Sequence, residues 1–295
     1  MYYYKAYNLI IASDFKLDGL IECNQQPHDI TVHKSVIDPT FLERIGNCPW
    51  YFSPDEQYLD FTIVAKFHIR NASEVFVEMY DCPEELVIYP LMGMVMGLIL
   101  QLRGNLVMHA NAIEMDGLAV GFMGDKGAGK STTSAAFISK GYNLITDDVM
   151  PINFEDGFKI LSGFPQMKVT DDLLANIDLS FGDLLPKIEF PGLEKQQLGL
   201  GTHFASEALK LGRTYVLERG EKAQIIDYSV KDGFEAMMRF SYYYQRDAMG
   251  GGFSADVMKK SVEVAKNGLV KKLIVPAYID RIQETIELVR EDIGR

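Results

Sequence analysis

The stretch "GDKGAGKSTT", residues 124–133, decides the reading of the fold. Gly124, Gly129, Lys130 and Ser131 satisfy the G-x-x-x-x-G-K-[ST] pattern of a phosphate-binding loop. With ordinary glycine usage, a chance match in a chain of this length is about one in a hundred. The flanks tighten the assignment: "LAVGFMG" before the loop has strand character, and "STTSAAFISK" after it reads as a helix ended by Gly141. "YNLIT" then reads as a second strand, so strand, loop, helix and strand form a βαβ unit whose two strands are expected to run parallel. The fold class is therefore α/β.

Each residue of the loop has an expected part. Glycines at 124, 127 and 129 let the backbone turn sharply and bring amide N–H groups against phosphate. The helix starting near Lys130 adds its positive end to the same anion. Residues Gly124, Asp125, Lys126, Gly127, Ala128, Gly129, Lys130, Ser131 and Thr132 are thus the expected nucleotide contacts. Lys130 reaches the β- and γ-phosphates, and Ser131 places its hydroxyl on Mg²⁺. For Lys126 a phosphate contact and a solvated loop lysine stand equally open. The loop alone leaves three fates for the phosphate: hydrolysis that drives a motion, retention as a switch, or transfer to an acceptor.

Two flanking features bear on that choice. Asp147 and Asp148 follow the second strand, 16 and 17 residues beyond Ser131. The C-terminal ends of parallel strands share one sheet edge, so the pair is expected beside the γ-phosphate. At a strand end one Asp can hold Mg²⁺ while the other faces an acceptor. A carboxylate there is placed to act as a base toward an alcohol, which a kinase needs. His109 lies 15 residues before Gly124 on the preceding strand. A turn at Asp116-Gly117 would pair residues 107–111 with residues near 121–125 and bring His109 to the loop, although a histidine satisfied in the core is the plainer reading of the residue alone.

The chain has 295 residues and a net charge of −12, with 47% apolar and 24% charged residues. So acidic a chain lacks the basic face that a nucleic-acid backbone requires. Cys23, Cys48 and Cys82 show no metal or disulfide spacing and read as reduced, buried thiols of a cytoplasmic protein. The start of the chain does not read as a signal peptide. "LVIYPLMGMVMGLILQL", residues 86–102, is apolar enough to touch the lower limit of a membrane span, but Pro90, Gly93 and Gly97 favour a buried helix starting near Pro90. Before it, "YKAYNLIIAS", "DITVHKSVI", "YLDFTIVAKFHI" and "EVFVEMY" read as strands, with His28, His33 and His68 isolated among them. We expect a β-rich N-terminal accessory domain over residues 1–88, concerned with recognition, and a catalytic domain over 89–295. Downstream, "PINFEDGFKIL" reads as a hairpin, "SGFPQMKVTDDLLANI" as a turn into a helix, and "RTYVLERGEKAQIIDYSV" as two strands around Arg219-Gly220. "DGFEAMMRFSYYYQRDAMGGGF" reads as a helix ending in a glycine loop, and Ile279, Ile282, Ile286, Val289 and Ile293 mark one face of a last helix.

Residues 108–152, "MHANAIEMDGLAVGFMGDKGAGKSTTSAAFISKGYNLITDDVMPI", resemble the C-terminal catalytic domain of HPr kinase/phosphorylase. The resemblance implies a P-loop serine kinase using ATP and Mg²⁺, with Asp147 as the base, His109 close to it, and Mg²⁺ between Ser131 and Asp148. The likeness to the bifunctional enzymes is expected to cover only about 105–152, because the glycine-rich segment of their phosphorylase reaction has no evident counterpart. The remainder looks like the HPr-kinase-like proteins of lasso-peptide biosynthesis, through "YKAYNLIIAS" at 4–13, "GFPQMK" at 163–168 and "YVLERG" at 215–220. That resemblance implies a precursor-peptide partner phosphorylated at a serine, typically its C-terminal one. Asn111 stands where the family has a serine, and "VTDD" at 169–172 departs from its usual pattern, which bears on the acceptor pocket. Lys168 is open between a phosphate or carboxylate contact and a surface lysine. A kinase of a free amino acid or sugar and a non-transferring regulatory ATPase remain as rivals. A cytoplasmic protein without nucleic-acid or membrane partners is expected, with homo-oligomerisation open.

Overall fold

The computed structural model describes residues 1–187, 195–242, 254–276 and 281–294. Its N-terminal strands are β1 (Tyr2–Ala6), β2 (Leu9–Ser13), β3 (Ile21–Glu22), β4 (Ile30–Lys34), β5 (Trp50–Phe52), β6 (Glu56–Phe61), β7 (Ala65–Arg70) and β8 (Glu74–Met79). They form one eight-stranded sheet in the order β3-β1-β2-β4-β8-β7-β6-β5. Two segments expected as single strands are hairpins instead. "YKAYNLIIAS" folds back at Tyr7 and Asn8, whose φ angles of 56° and 59° build a two-residue turn without glycine. "YLDFTIVAKFHI" turns around Ile63, at φ 72°, so that Phe61 faces Ala65.

Helix α1 (Pro39–Arg44), capped by the Asp38 side chain, packs through Phe41 against Tyr58 in a small satellite core. The apolar segment is a helix, α2 (Glu84–Leu102), which begins well before Pro90 and breaks at Gly93, where ψ is −106°. By length and composition α2 is able to cross a membrane. Here Val87, Leu91, Val95, Met96 and Ile99 lie in one core with Ile11, Phe67 and Val75 of the sheet. The helix runs across residue 88, and Val107, Val149 and Leu161 from beyond it join the same core. Cys23, Cys48 and Cys82 are free, but none is buried as expected: Cys48 is exposed and the others are partly so.

The second sheet carries β9 (Leu106–Met115), β10 (Leu118–Met123), β11 (Asn143–Thr146), β12 (Val149–Asn153) and β13 (Lys159–Ile160), then β17 (Leu209–Gly220), β18 (Gln224–Asp227) and β19 (Val270–Pro276). A third, small sheet holds β14 (Gln166–Val169), β15 (Asp183–Leu184) and β16 (Gln196–Gly199). β9 and β10 form the expected hairpin, turning at Asp116 and Gly117 with φ of 51° and 77°, and Met123 faces Ala110. β10 and β11 do run in one direction, yet they are not neighbours: β9 lies between them, antiparallel to both. On its other side β10 pairs in parallel with β17, which pairs in parallel with β19.

Helices α3 (Lys130–Ile138), α4 (Asp171–Asn176), α5 (Val230–Arg239), α6 (Ala255–Lys266) and α7 (Ile282–Ile293) complete the described elements. Phe137 of α3 packs with Phe122, Tyr215 and Leu273 of the sheet and Val289 of α7 in a second core. Ile286 and Val289 bury the face expected of α7, while Ile279 and the glycine loop at 250–252 lie outside the described residues.

Candidate active site

Gly127 and Gly129 take φ of 87° and 99°, a left-handed region that side chains resist, and the loop between β10 and α3 depends on both. Gly129 is the N-cap of α3 and offers no side-chain cap, so the first-turn amides keep their capacity for an anion. Lys130 folds back over the loop and donates to the Gly124 carbonyl at 2.7 Å. Burial depresses its ammonium pKa, and the charges of Asp148, Asp147 and Asp125 oppose that. The Asp125 carboxylate accepts from Arg239 at 2.8 Å, so its side chain is engaged outside the loop.

The acid pair directly follows the end of β11, as expected, and a second strand begins straight after it. β12 starts at Val149, opposite His109, still beside β9. Between β11 and β12 the chain turns through a φ of 64° at Asp148, a conformation that Asp tolerates better than most residues. The Asp148 amide donates to Asn111 Oδ1 at 3.3 Å, and its carbonyl accepts from the Ala110 amide at 3.2 Å. Asn111, the departure from the family's serine, is therefore a backbone support for that turn.

The turn separates the two carboxylates. Asp148 lines a cleft of about 500 Å³ together with His109, Lys126, Gly127, Gly129, Lys130, Ser131, Thr132 and Lys168. Asp147 does not line that cleft; it borders a smaller pocket walled by Ile88, Tyr89, Met92, Phe164 and Gln166, which Asp148 borders as well. Lys168 grips both acids: its backbone N–H donates to Asp147 Oδ2 at 2.9 Å and its ammonium to Asp148 Oδ2 at 2.7 Å. It borders both pockets and is no ordinary surface lysine.

Electrostatics sharpen the difference. Burial, reinforced by the neighbouring Asp148 charge, pushes the Asp147 carboxyl up to about 7, and its Oδ1 is buried without a hydrogen-bond partner among the described residues. Burial also works to raise Asp148, but the Lys168 charge and hydrogen bond outweigh it and hold that carboxyl at about 2. For Lys168 the carboxylates likewise overcome the burial cost and raise its pKa. His109 is held below the usual histidine range by burial, against the pull of Asp148, so it is neutral at pH 7. Its backbone N–H donates to the Phe240 carbonyl at 2.7 Å and its ring meets Tyr242 edge-on. The site thus pairs a carboxyl held low by Lys168, on the wall that cleft and pocket share, with a buried one raised by burial and by its neighbour's charge.

Among the described residues no cluster of three His, Cys, Asp or Glu side chains forms a metal cage. Ser131 and Asp148 share the loop cleft, a pairing that suits Mg²⁺ arriving on phosphate oxygens with few protein ligands. Sequence reasoning missed Lys195, Thr170, Leu173 and Arg219, which also line the cleft. It missed them because no local motif marks a residue delivered by pairing between distant segments.

No family model matches the chain. It is 24% identical over 228 residues to the HPr kinase/phosphorylase of Clostridium botulinum strain Eklund 17B / Type B, an alignment covering 66% of this chain and 73% of that protein. The same figures hold for the HPr kinase/phosphorylase of C. botulinum strain Alaska E43 / Type E3. Among solved structures, the Hpr(Ser) kinase/phosphatase from Coxiella burnetii matches with a TM-score of 0.32 at 14% identity, over 64% of this chain and 99% of that one. The sequence likeness to HPr kinase/phosphorylase is weak, and at 66% of the chain it reaches well beyond the 105–152 segment to which it was expected to be confined.

Proposed function

We propose that this chain is an ATP-dependent kinase that moves a γ-phosphoryl group onto a seryl hydroxyl of a peptide. The observation that carries the reading is the different surroundings of the two acids. Asp148 and Lys168 form the wall between the phosphate-loop cleft, which they share with Lys130 and Ser131, and a smaller pocket, which they share with Asp147, whose Oδ1 is unpaired among the described residues. Asp147 takes the proton of the acceptor hydroxyl. The acceptor oxygen bonds to the γ-phosphorus as the bond from that phosphorus to the β-γ bridging oxygen breaks, and ADP departs with that electron pair. A base with a pKa near 7 is matched to this task at neutral pH. Lys130 and Lys168 hold positive charge where the transferred group passes, and neutral His109 lies beside Asp148. Ser131 and Asp148 would hold Mg²⁺, which neutralises phosphate charge when bound.

The likeness to HPr kinase/phosphorylase supports phosphoryl transfer, and the serine acceptor is what the resemblance of residues 108–152 implies. The motifs at 4–13, 163–168 and 215–220 favour a lasso-peptide precursor as the acceptor, the N-terminal sheet as its recognition surface, and a cytoplasmic setting. A free amino acid or sugar as acceptor and plain hydrolysis are the rival readings. Transfer from γ-labelled ATP to a serine-ended precursor peptide, to free serine and to water distinguishes these readings. The peptide is expected to be labelled, and Asp147→Asn to slow that labelling by about 10²–10⁴-fold. Phosphate release without any labelled acceptor would replace the kinase with an ATPase.

A further inference from the structure

The strand order around the phosphate loop fixes which way a bound nucleotide runs. Asp148 lies opposite Ala110 of β9, and Ala110 lies opposite Met123 at the end of β10. On the far side of β10, Met123 pairs with Val216 of β17, and Arg219 follows three residues later at the same sheet edge. The acids and Arg219 therefore occupy opposite flanks of the loop, three strand spacings of about 4.8 Å apart. The acid flank is where the γ-phosphate must lie for transfer. The α-phosphate and the nucleoside then extend toward β17.

Arg219 is placed to meet them. Its guanidinium lies so close over Gly129 that any Cβ at that residue would overlap it. It lines the same cleft as Lys130 and Ser131. Its one hydrogen bond among the described residues is a long donation, 3.4 Å, to the Pro276 carbonyl at the end of β19. No carboxylate pairs with it among the described residues, in a chain whose net charge is −12, while the preceding Glu218 pairs with Lys272. A planar cation left without an acid partner beside a nucleotide cleft suits the face of an aromatic ring.

We propose that Arg219 is the nucleoside-binding residue of this site, stacking its guanidinium on the base of the bound nucleotide. The proposal rests on reading residues 124–132 as a nucleoside triphosphate cradle. Stacking accepts any base, because every base has a π-face. Calorimetric titration of the full chain with ADP, GDP and inorganic tripolyphosphate tests it. Arg219→Ala is expected to weaken ADP and GDP about tenfold each, in line with the loss of one stacked contact. Tripolyphosphate, which has no base, is expected to bind within about twofold of wild type. Arg219→Lys keeps the charge but loses the plane, and is expected to behave like the alanine variant.

Parallel weakening of all three probes would make Arg219 a phosphate ligand and overturn the proposal, as would a loss confined to ADP or no loss at all. If the wild-type chain binds none of the three, the cradle reading itself fails. If it binds tripolyphosphate and ADP equally well, only the stacking fails.

Discussion

At the residue scale, the turn at Asp148 gives two adjacent carboxylates different neighbours and different proton affinities. In a regular strand they would point to opposite faces by alternation alone. Here the positive φ lets Asp148 meet the Lys168 ammonium while Asp147 keeps the Lys168 backbone N–H. Replacing Lys168 with Met removes the ammonium and leaves the backbone donor in place. Asp148 then loses the charge that holds it low, and the cleft loses a cation. Phosphoryl transfer should fall by about 10²-fold, the usual loss when one stabilising donor is removed from a transferring group. Lys168→Arg should recover part of it. Steady-state transfer assays on both variants, with circular dichroism to verify folding, check this; an unchanged rate in Lys168→Met would make the lysine structural. The loop and the acid pair were legible in the sequence because each belongs to a short local pattern, whereas His109 was singled out only by the resemblance of residues 108–152. The double grip of Lys168 was not, since it depends on β14 coming to lie beside the β11–β12 turn.

At the element scale, α7 is tied to the second sheet by one carboxylate. Asp292 Oδ2 accepts from Tyr215 Oη at 2.7 Å and Arg213 Nε at 3.1 Å, and its Oδ1 accepts from Lys271 Nζ at 2.6 Å. Burial works to raise the Asp292 pKa, but the Lys271 and Tyr215 hydrogen bonds and the Arg213 charge outweigh it, so the folded value lies below the ordinary one. A carboxylate depressed on folding contributes stability that is fully present above its unfolded pKa, near 4, and is lost as pH falls through the folded value. Asp292→Asn should therefore cost about 2 kcal/mol at pH 7, the size of hydrogen bonds to a charged group. That difference from wild type should shrink as pH falls below about 4. Urea titrations of both proteins at several pH values measure it; a pH-independent difference would assign the effect to packing. The amphipathic face of α7 was readable from its spacing, but its anchor was not, because Arg213 and Lys271 belong to strands whose pairing no periodicity announces. The misread hairpins have a similar cause. The Tyr7-Asn8 turn lacks glycine, and it is tied down by the Tyr7 amide donating to the Ser162 carbonyl at 2.7 Å, in the segment between β13 and β14.

At the scale of the whole molecule, composition suggests two units, while the interior joins them. Tyr4, Ile11, Phe67 and Val75 of the N-terminal sheet share one core with Val95 and Ile99 of α2 and with Val107, Val149, Leu161 and Tyr242 from beyond that helix. Val149 directly follows Asp148, so the same contiguous interior reaches from the first strands to the acid pair. Burying that apolar surface is worth about 25 cal/mol per Å², and neither part can keep its share if the other unfolds. Thermal unfolding should accordingly be one cooperative transition, with calorimetric and van't Hoff enthalpies equal, even though chains of this size commonly unfold in steps. Trp50 makes this measurable at a distance, because it is the single tryptophan and sits on β5, the edge strand of the N-terminal sheet. ADP at a hundred times its dissociation constant should stabilise the folded state by about 2.7 kcal/mol. If the core couples the parts, the Trp50 fluorescence midpoint must rise with ADP by as much as the far-ultraviolet dichroism midpoint does. A tryptophan transition indifferent to ADP, alongside a dichroism transition that moves, would mean that the N-terminal sheet unfolds on its own.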